Sequence, residues 1–147
     1  MTAISESELN WLLVDFAGRV PEIVHALAVS ADGITVAHTG GEALPQALAD
    51  QLGAVASGLS GLLAGAAKAM NVAPVRSNLT EMNGGFLFSM AYTAEDPASL
   101  LVLATHDCDV RQVSYEMAQL IDKVGPALTA VARARFRFAP QQAPLGG

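Results

Sequence analysis

At 147 residues the chain is long enough for one domain with a substantial core. Its residues are 52% hydrophobic and its formal net charge is −6, which excludes intrinsic disorder and argues against nucleic acid as a partner. A single cysteine, Cys108, excludes an internal disulfide.

The opening stretch, MTAISESELNW, lacks the basic region and apolar core of a signal peptide, so a cytoplasmic chain is expected. Ser5 with Glu8 three residues on has the pattern of a capping box. Leu9, Leu12, Leu13 and Phe16 follow as an amphipathic stripe, with Trp11 off it, and Gly18 and Pro21 close the first helix. Val24 to Ser30 reads as a strand, apolar on both parities, as in a central strand covered on both faces. Asp32-Gly33 predicts a two-residue hairpin turn and Ile34 to Thr39 the returning strand. His25 and His38 on these strands are expected to be satisfied locally.

Gly40-Gly41 breaks the chain before a helical pattern from about Ala43 to Asn71, which contains the uncharged run QLGAVASGLSGLLAGAA. Leu44, Leu48, Leu52, Val55, Leu59, Leu62 or Leu63, and Met70 recur in steps of three and four, which predicts one apolar face seated on the sheet. Gly53, Ser57, Gly61 and Gly65 recur every fourth residue as a second, small-residue stripe. A glycine inside a helix costs about 1 kcal/mol relative to alanine, so a stripe of them points to close approach of another backbone. The run falls short of the ~20 strongly apolar residues a membrane span needs and is diluted by Gly, Ser and Ala. Direct membrane insertion is therefore not expected, and an oligomer or partner interface is preferred to enclosure in a monomeric core.

Val75 to Met82, led by Pro74 and carrying Arg76, Asn78, Thr80 and Glu81, reads as an edge strand. Asn83-Gly84-Gly85 turns the chain into Phe86 to Thr93, where Phe86, Phe88, Met90 and Tyr92 share a face. Ala94 to Pro97 is a further turn, and Ser99 to Thr105 a nearly all-apolar central strand. Asp109 and Gln112 cap the last helix, whose buried face is Val110, Val113, Met117, Leu120, Ile121, Val124 and Leu128. Gly125-Pro126 predicts a kink in a helix continuing to about Arg135, with Arg133, Arg135 and Arg137 complementing its C-terminal dipole. The result is an α+β domain over residues 1–138, α-β-β-α-β-β-β-α, with one antiparallel sheet between helices, and a disordered tail over 139–147.

Motifs for chemistry are sparse. There is no phosphate-binding GxxxxGK[ST] loop. The densest reactive cluster is His106-Asp107-Cys108-Asp109, where a helix N-terminus would lower the pKa of a cysteine and the same residues could ligate a metal. No CxxC or HExxH spacing supports that, so a strand end running into an N-cap aspartate is the preferred reading. No catalytic residue, metal or cofactor is assigned.

Several segments, in order and spacing, resemble the Roadblock family (dynein light chain, Roadblock type), nearest its MglB-like bacterial branch from actinobacterial conservon operons. They are Leu9-Asn10-Trp11-Leu12-Leu13-Val14-Asp15-Phe16, Ala26 to Gly33 with Ser30-Ala31-Asp32-Gly33, and Ala56-Ser57-Gly58-Leu59. Glu81-Met82-Asn83-Gly84-Gly85-Phe86-Leu87-Phe88, Ser99-Leu100-Leu101-Val102-Leu103-Ala104 and Tyr115-Glu116-Met117 complete the set. The resemblance implies a profilin-like sheet ordered 2-1-5-4-3. It implies homodimers in which two third strands pair edge to edge and two second helices lie side by side. It also implies binding of a Ras-like small GTPase, sometimes with stimulated hydrolysis and without a donated arginine. Gly125-Pro126 departs from the family pattern.

The expected function is a cytoplasmic homodimeric regulator of such a GTPase, with a sensor histidine kinase complex as a further, membrane-recruiting partner. The alternatives are a structural adaptor with no effect on nucleotide turnover and, more remotely, a small Cys- or metal-dependent enzyme using His106 to Asp109. Gly53, Ser57, Gly61, Gly65, Lys68, Arg76, Asn78 and Thr80 are the expected dimer and partner interface.

Overall fold

The structure, a computed structural model, describes residues 5–92 and 98–138. The turn expected at 94–97 and the tail expected at 139–147 lie outside those residues. The elements are α1 (Glu6–Arg19), β1 (Ile23–Val29), β2 (Thr35–His38), α2 (Gln46–Ala69), β3 (Ser77–Met82), β4 (Gly85–Ala91), β5 (Ser99–Ala104) and α3 (Val110–Phe138). The five strands form one antiparallel sheet in the order β2-β1-β5-β4-β3.

Strand alternation divides the core in two. Ala26, Ala28, Leu100, Val102, Phe88 and Ala104 turn one way and pack with Leu9, Leu13 and Phe16 of α1 and with Val113, Met117, Val124 and Leu128 of α3. Leu27, Val29 and Leu101 turn the other way and meet α2. Full burial of a leucine, valine or methionine stabilises by about 1.5–3 kcal/mol, so the α1–α3 side supplies most of the hydrophobic stabilisation. Both expected caps form: the Glu8 amide donates to Ser5 Oγ at 3.2 Å, and the Arg111 amide donates to Asp109 Oδ1 at 3.0 Å.

Four local expectations change. The β1–β2 connection is longer than a two-residue turn. The Ser30 amide donates to the Ile34 carbonyl at 2.8 Å, and Ser30 Oγ accepts from the Ile34 amide and donates to Asp32 Oδ1. The Ser30 hydroxyl thus stands in for backbone partners and widens the loop, with Gly33 in the left-handed region at φ 85°. Val24 is 46% exposed, so β1 is covered on both faces only beyond its first residues. Arg76 precedes β3 rather than lying within it, although its carbonyl still accepts from the Ala91 amide at 3.2 Å. Finally, α3 runs through Pro126 to Phe138, past the end expected near Arg135. At Gly125 any Cβ would collide with the ring of Tyr92, so this glycine lets the β4 end seat flat against α3.

Candidate protein-interaction surface

The second helix does not sit as its leucine spacing suggests. Its buried residues are Ala49, Gly53, Ala56 and Ala67, while Val55, Leu62 and Met70 are 47%, 77% and 67% exposed. The face on the sheet is therefore the small one. Close packing explains it. The Thr35 hydroxyl of β2 donates to the Ala49 carbonyl at 2.7 Å, and a Cβ on Gly53 would stand 2.5 Å from Thr35 Oγ1 and 2.7 Å from the Gly33 carbonyl oxygen. One turn on, Ser57 Oγ lies 3.5 Å from the Ala31 carbonyl oxygen. A large side chain at 49, 53 or 56 would force the helix off the sheet. Leu48 and Leu52 flank this contact as partly buried residues, and Leu44 before the helix is fully buried.

The small stripe consequently splits. Gly53 serves contact within the chain, and Ser57 bridges to the β1–β2 loop. Gly61 and Gly65 are exposed, and among the described residues no atom stands within 4 Å of where a Cβ would lie. At 24 residues α2 lies within the expected Ala43 to Asn71 pattern and is longer than its uncharged run, and by length and composition it could cross a membrane. Its seating on Thr35 and Gly33 makes it a layer of this domain.

α2 contacts β1 and β2 and leaves a groove of about 470 Å³ between its C-terminal half and the β3–β4 side of the sheet. Ser57, Ser60, Gly61, Ala64 and Lys68 form one wall, and Arg76, Asn78, Ser89 and Ser99 lie opposite. Five expected interface residues thus share one groove: Ser57, Gly61, Lys68, Arg76 and Asn78. Thr80 stays beside it, its hydroxyl donating to Asn78 Oδ1 at 2.8 Å. Gly53 and Gly65 do not line it. Ser89, Ser99, Ser60 and Ala64 were missed. For Ser89 and Ser99 the sequence signal is a single small polar residue in an otherwise apolar strand.

The two sheet edges differ. β2 has four residues, and its outward His38 amide is occupied by Asn10 Oδ1 of α1 at 3.1 Å. Among the described residues β3 pairs only with β4; it is six residues long and carries a single charge, Glu81. Leu79 and Met82 on it are 47% and 45% exposed. A strand of this length without lysine, proline or a bulge is a ready template for pairing.

The reactive cluster looks different in place. Burial, then the nearby Glu22, Asp109 and Asp107 carboxylates, pushes the Cys108 thiol up rather than down. That opposes a thiolate nucleophile. His106 stacks edge-on against Phe86, with ring centroids 5.3 Å apart. Burial lowers the pKa of His25. His38 is not fully satisfied locally: Nε2 lies 3.2 Å from Gln46 Oε1, and among the described residues the buried Nδ1 has no hydrogen-bond partner.

Residues 9–104 match the family model described as Roadblock/LC7 domain. No curated protein matches the chain. A Roadblock/LC7 domain from Streptomyces avermitilis is 31% identical over 82% of this chain and 97% of its own, with a TM-score of 0.72. Myxococcus xanthus MglB is 12% identical over 89% of this chain and 95% of its own, with a TM-score of 0.73. An MglB described with a tetrameric arrangement is also 12% identical over 89% and 95%, with a TM-score of 0.75.

Proposed function

The chain belongs to the Roadblock/LC7 family, and from that premise we propose that it is a homodimeric regulator that binds a Ras-like small GTPase and modulates its GTP hydrolysis. The observation that carries this reading is the uncovered surface of α2 beside the open β3 edge. Val55 and Leu62 face solvent, Gly61 and Gly65 have empty space beside them, and Met82 is exposed on the same face of β3 as Asn78 of the groove. A monomer rarely leaves so much apolar surface uncovered unless it is used.

Two different contacts account for it. The groove side of α2 and the β3 edge meet a second copy, β3 pairing with the partner's β3 about a two-fold axis. The outward side of α2, with Val55 and Leu62, then forms a continuous apolar platform across the dimer for the GTPase. A sensor histidine kinase complex is the proposed upstream partner, bringing this cytoplasmic dimer to the membrane. No residue of this chain enters the chemistry. The dimer acts by binding the GTPase conformation whose own groups are aligned.

The test is recovery of a GTPase on the tagged chain, followed by single-turnover hydrolysis with the chain in excess. A changed rate supports regulation. Binding with an unchanged rate selects the adaptor reading, in which the same surfaces only assemble. Leu62→Glu should abolish GTPase recovery and leave the dimer intact; retained recovery would contradict the platform.

A further inference from the structure

The geometry points to a single register for the second copy on α2, set by Asp50 of each chain pairing with Lys68 of the other; this rests on the homodimer proposed above. Asp50 and Lys68 are the only charged residues of α2. They are eighteen residues apart, which at 3.6 residues per turn is five turns, so they lie on one line along the helix about 27 Å apart. Both are exposed. Among the described residues neither has an ion-pair partner, Arg19–Asp15 being the salt bridge present. Asp50 is held in place by Gln46, whose Nε2 donates to Asp50 Oδ1 at 2.8 Å while its Oε1 meets His38 Nε2 at 3.2 Å.

Their line faces the right way. Lys68 lines the groove toward β3, with Ser57, Gly61 and Ala64 on the same side of the helix. Antiparallel pairing of β3 with the partner's β3 requires a two-fold axis across the sheet, and that axis reverses the partner's α2 relative to this one. Opposite charges at the two ends of one line are then self-complementary. Asp50 faces the partner's Lys68, and symmetry repeats the pair. The axis crosses near position 59, so Ser57 faces the partner's Gly61 and Ala54 faces the partner's Ala64, with no large side chain between the helices. A shift of one turn leaves both charges unpaired. A parallel arrangement sets Asp50 against the partner's Asp50. Exposed ion pairs of this kind fix register and exclude wrong arrangements more than they add affinity.

The test uses the full chain with Asp50→Lys and Lys68→Asp, purified separately and measured by analytical ultracentrifugation. Each variant alone should self-associate about tenfold more weakly than the unmodified chain, since both symmetric pairs become repulsive. A one-to-one mixture should recover dimers as heterodimers, and the double variant Asp50→Lys with Lys68→Asp should dimerise normally. Asp50→Asn keeps the size of the side chain and should remove the salt dependence of dimerisation, which covers the case of a charge reversal that fails to fold. If the unmodified chain dimerises and both reversals dimerise equally well with no preference on mixing, the register is wrong and the homodimer stands. If the unmodified chain is monomeric, the homodimer itself is wrong.

Discussion

Gly53 of α2 lies against Thr35 of β2 so closely that a methyl group there would stand 2.5 Å from the threonine hydroxyl oxygen. That hydroxyl is committed to the Ala49 carbonyl at 2.7 Å, and the Gly33 carbonyl oxygen blocks a second direction at 2.7 Å. This contact sets how deeply α2 seats and therefore which of its faces stays outside.

Gly53→Ala should accordingly destabilise the fold. The gain from replacing a helical glycine is about 1 kcal/mol, and overpacking against fixed neighbours costs about 1–3 kcal/mol. Gly58→Ala, on the same helix with nothing within 4 Å, keeps the gain without the cost. Urea unfolding at matched protein concentration should rank Gly58→Ala above the unmodified chain and Gly53→Ala below it.

Cys108→Ser should leave partner binding and dimerisation unchanged, because the raised thiol is not poised to react. The same shift carries a pH signature. In the folded chain the neutral thiol is favoured, so on raising the pH the unfolded state loses its proton first. Stability from this group is present below the ordinary thiol pKa and falls as the pH rises through it. Unfolding free energy measured from pH 7 to 10 should therefore decline more steeply for the unmodified chain than for Cys108→Ser. Loss of function in a folded Cys108→Ser chain would return the cysteine to the mechanism.

No single arginine should act as a trans finger. A finger contributes about 10³–10⁵ in kcat. Arg19 is tied to Asp15 at 2.8 Å, Arg76 lines the groove assigned to the second copy, and Arg111 sits in the first turn of α3. Alanine at Arg19, Arg76, Arg111, Arg133, Arg135 or Arg137 should each lower a stimulated single-turnover rate by less than about tenfold, or about 1.4 kcal/mol. A thousandfold loss in a folded, dimeric variant would show that the GTPase binds elsewhere.

The topology was legible because its signals are local. Ser5 and Asp109 cap helices, Asn83-Gly84 turns a hairpin, and the polar pattern of Ser77–Met82 marks an open edge. The orientation of α2 was not. Periodicity marks one face of this helix with the leucines and Val55, but the sheet takes the small-residue face beside it. The choice is made by Thr35 and Gly33, which are distant in sequence and admit only Ala49, Gly53 and Ala56. The groove was half legible for the same reason. Gly61 and Lys68 were visible on α2, but Ser89 and Ser99 enter only when β4 and β5 pair beneath it.

The most direct measurement is the molar mass of the chain by light scattering at micromolar concentration, for the unmodified chain and for Gly61→Glu, which places a charge where the groove is open. The account predicts a two-chain mass for the unmodified chain and a folded one-chain mass for Gly61→Glu. A one-chain mass for the unmodified chain, or a two-chain mass for Gly61→Glu, would contradict it.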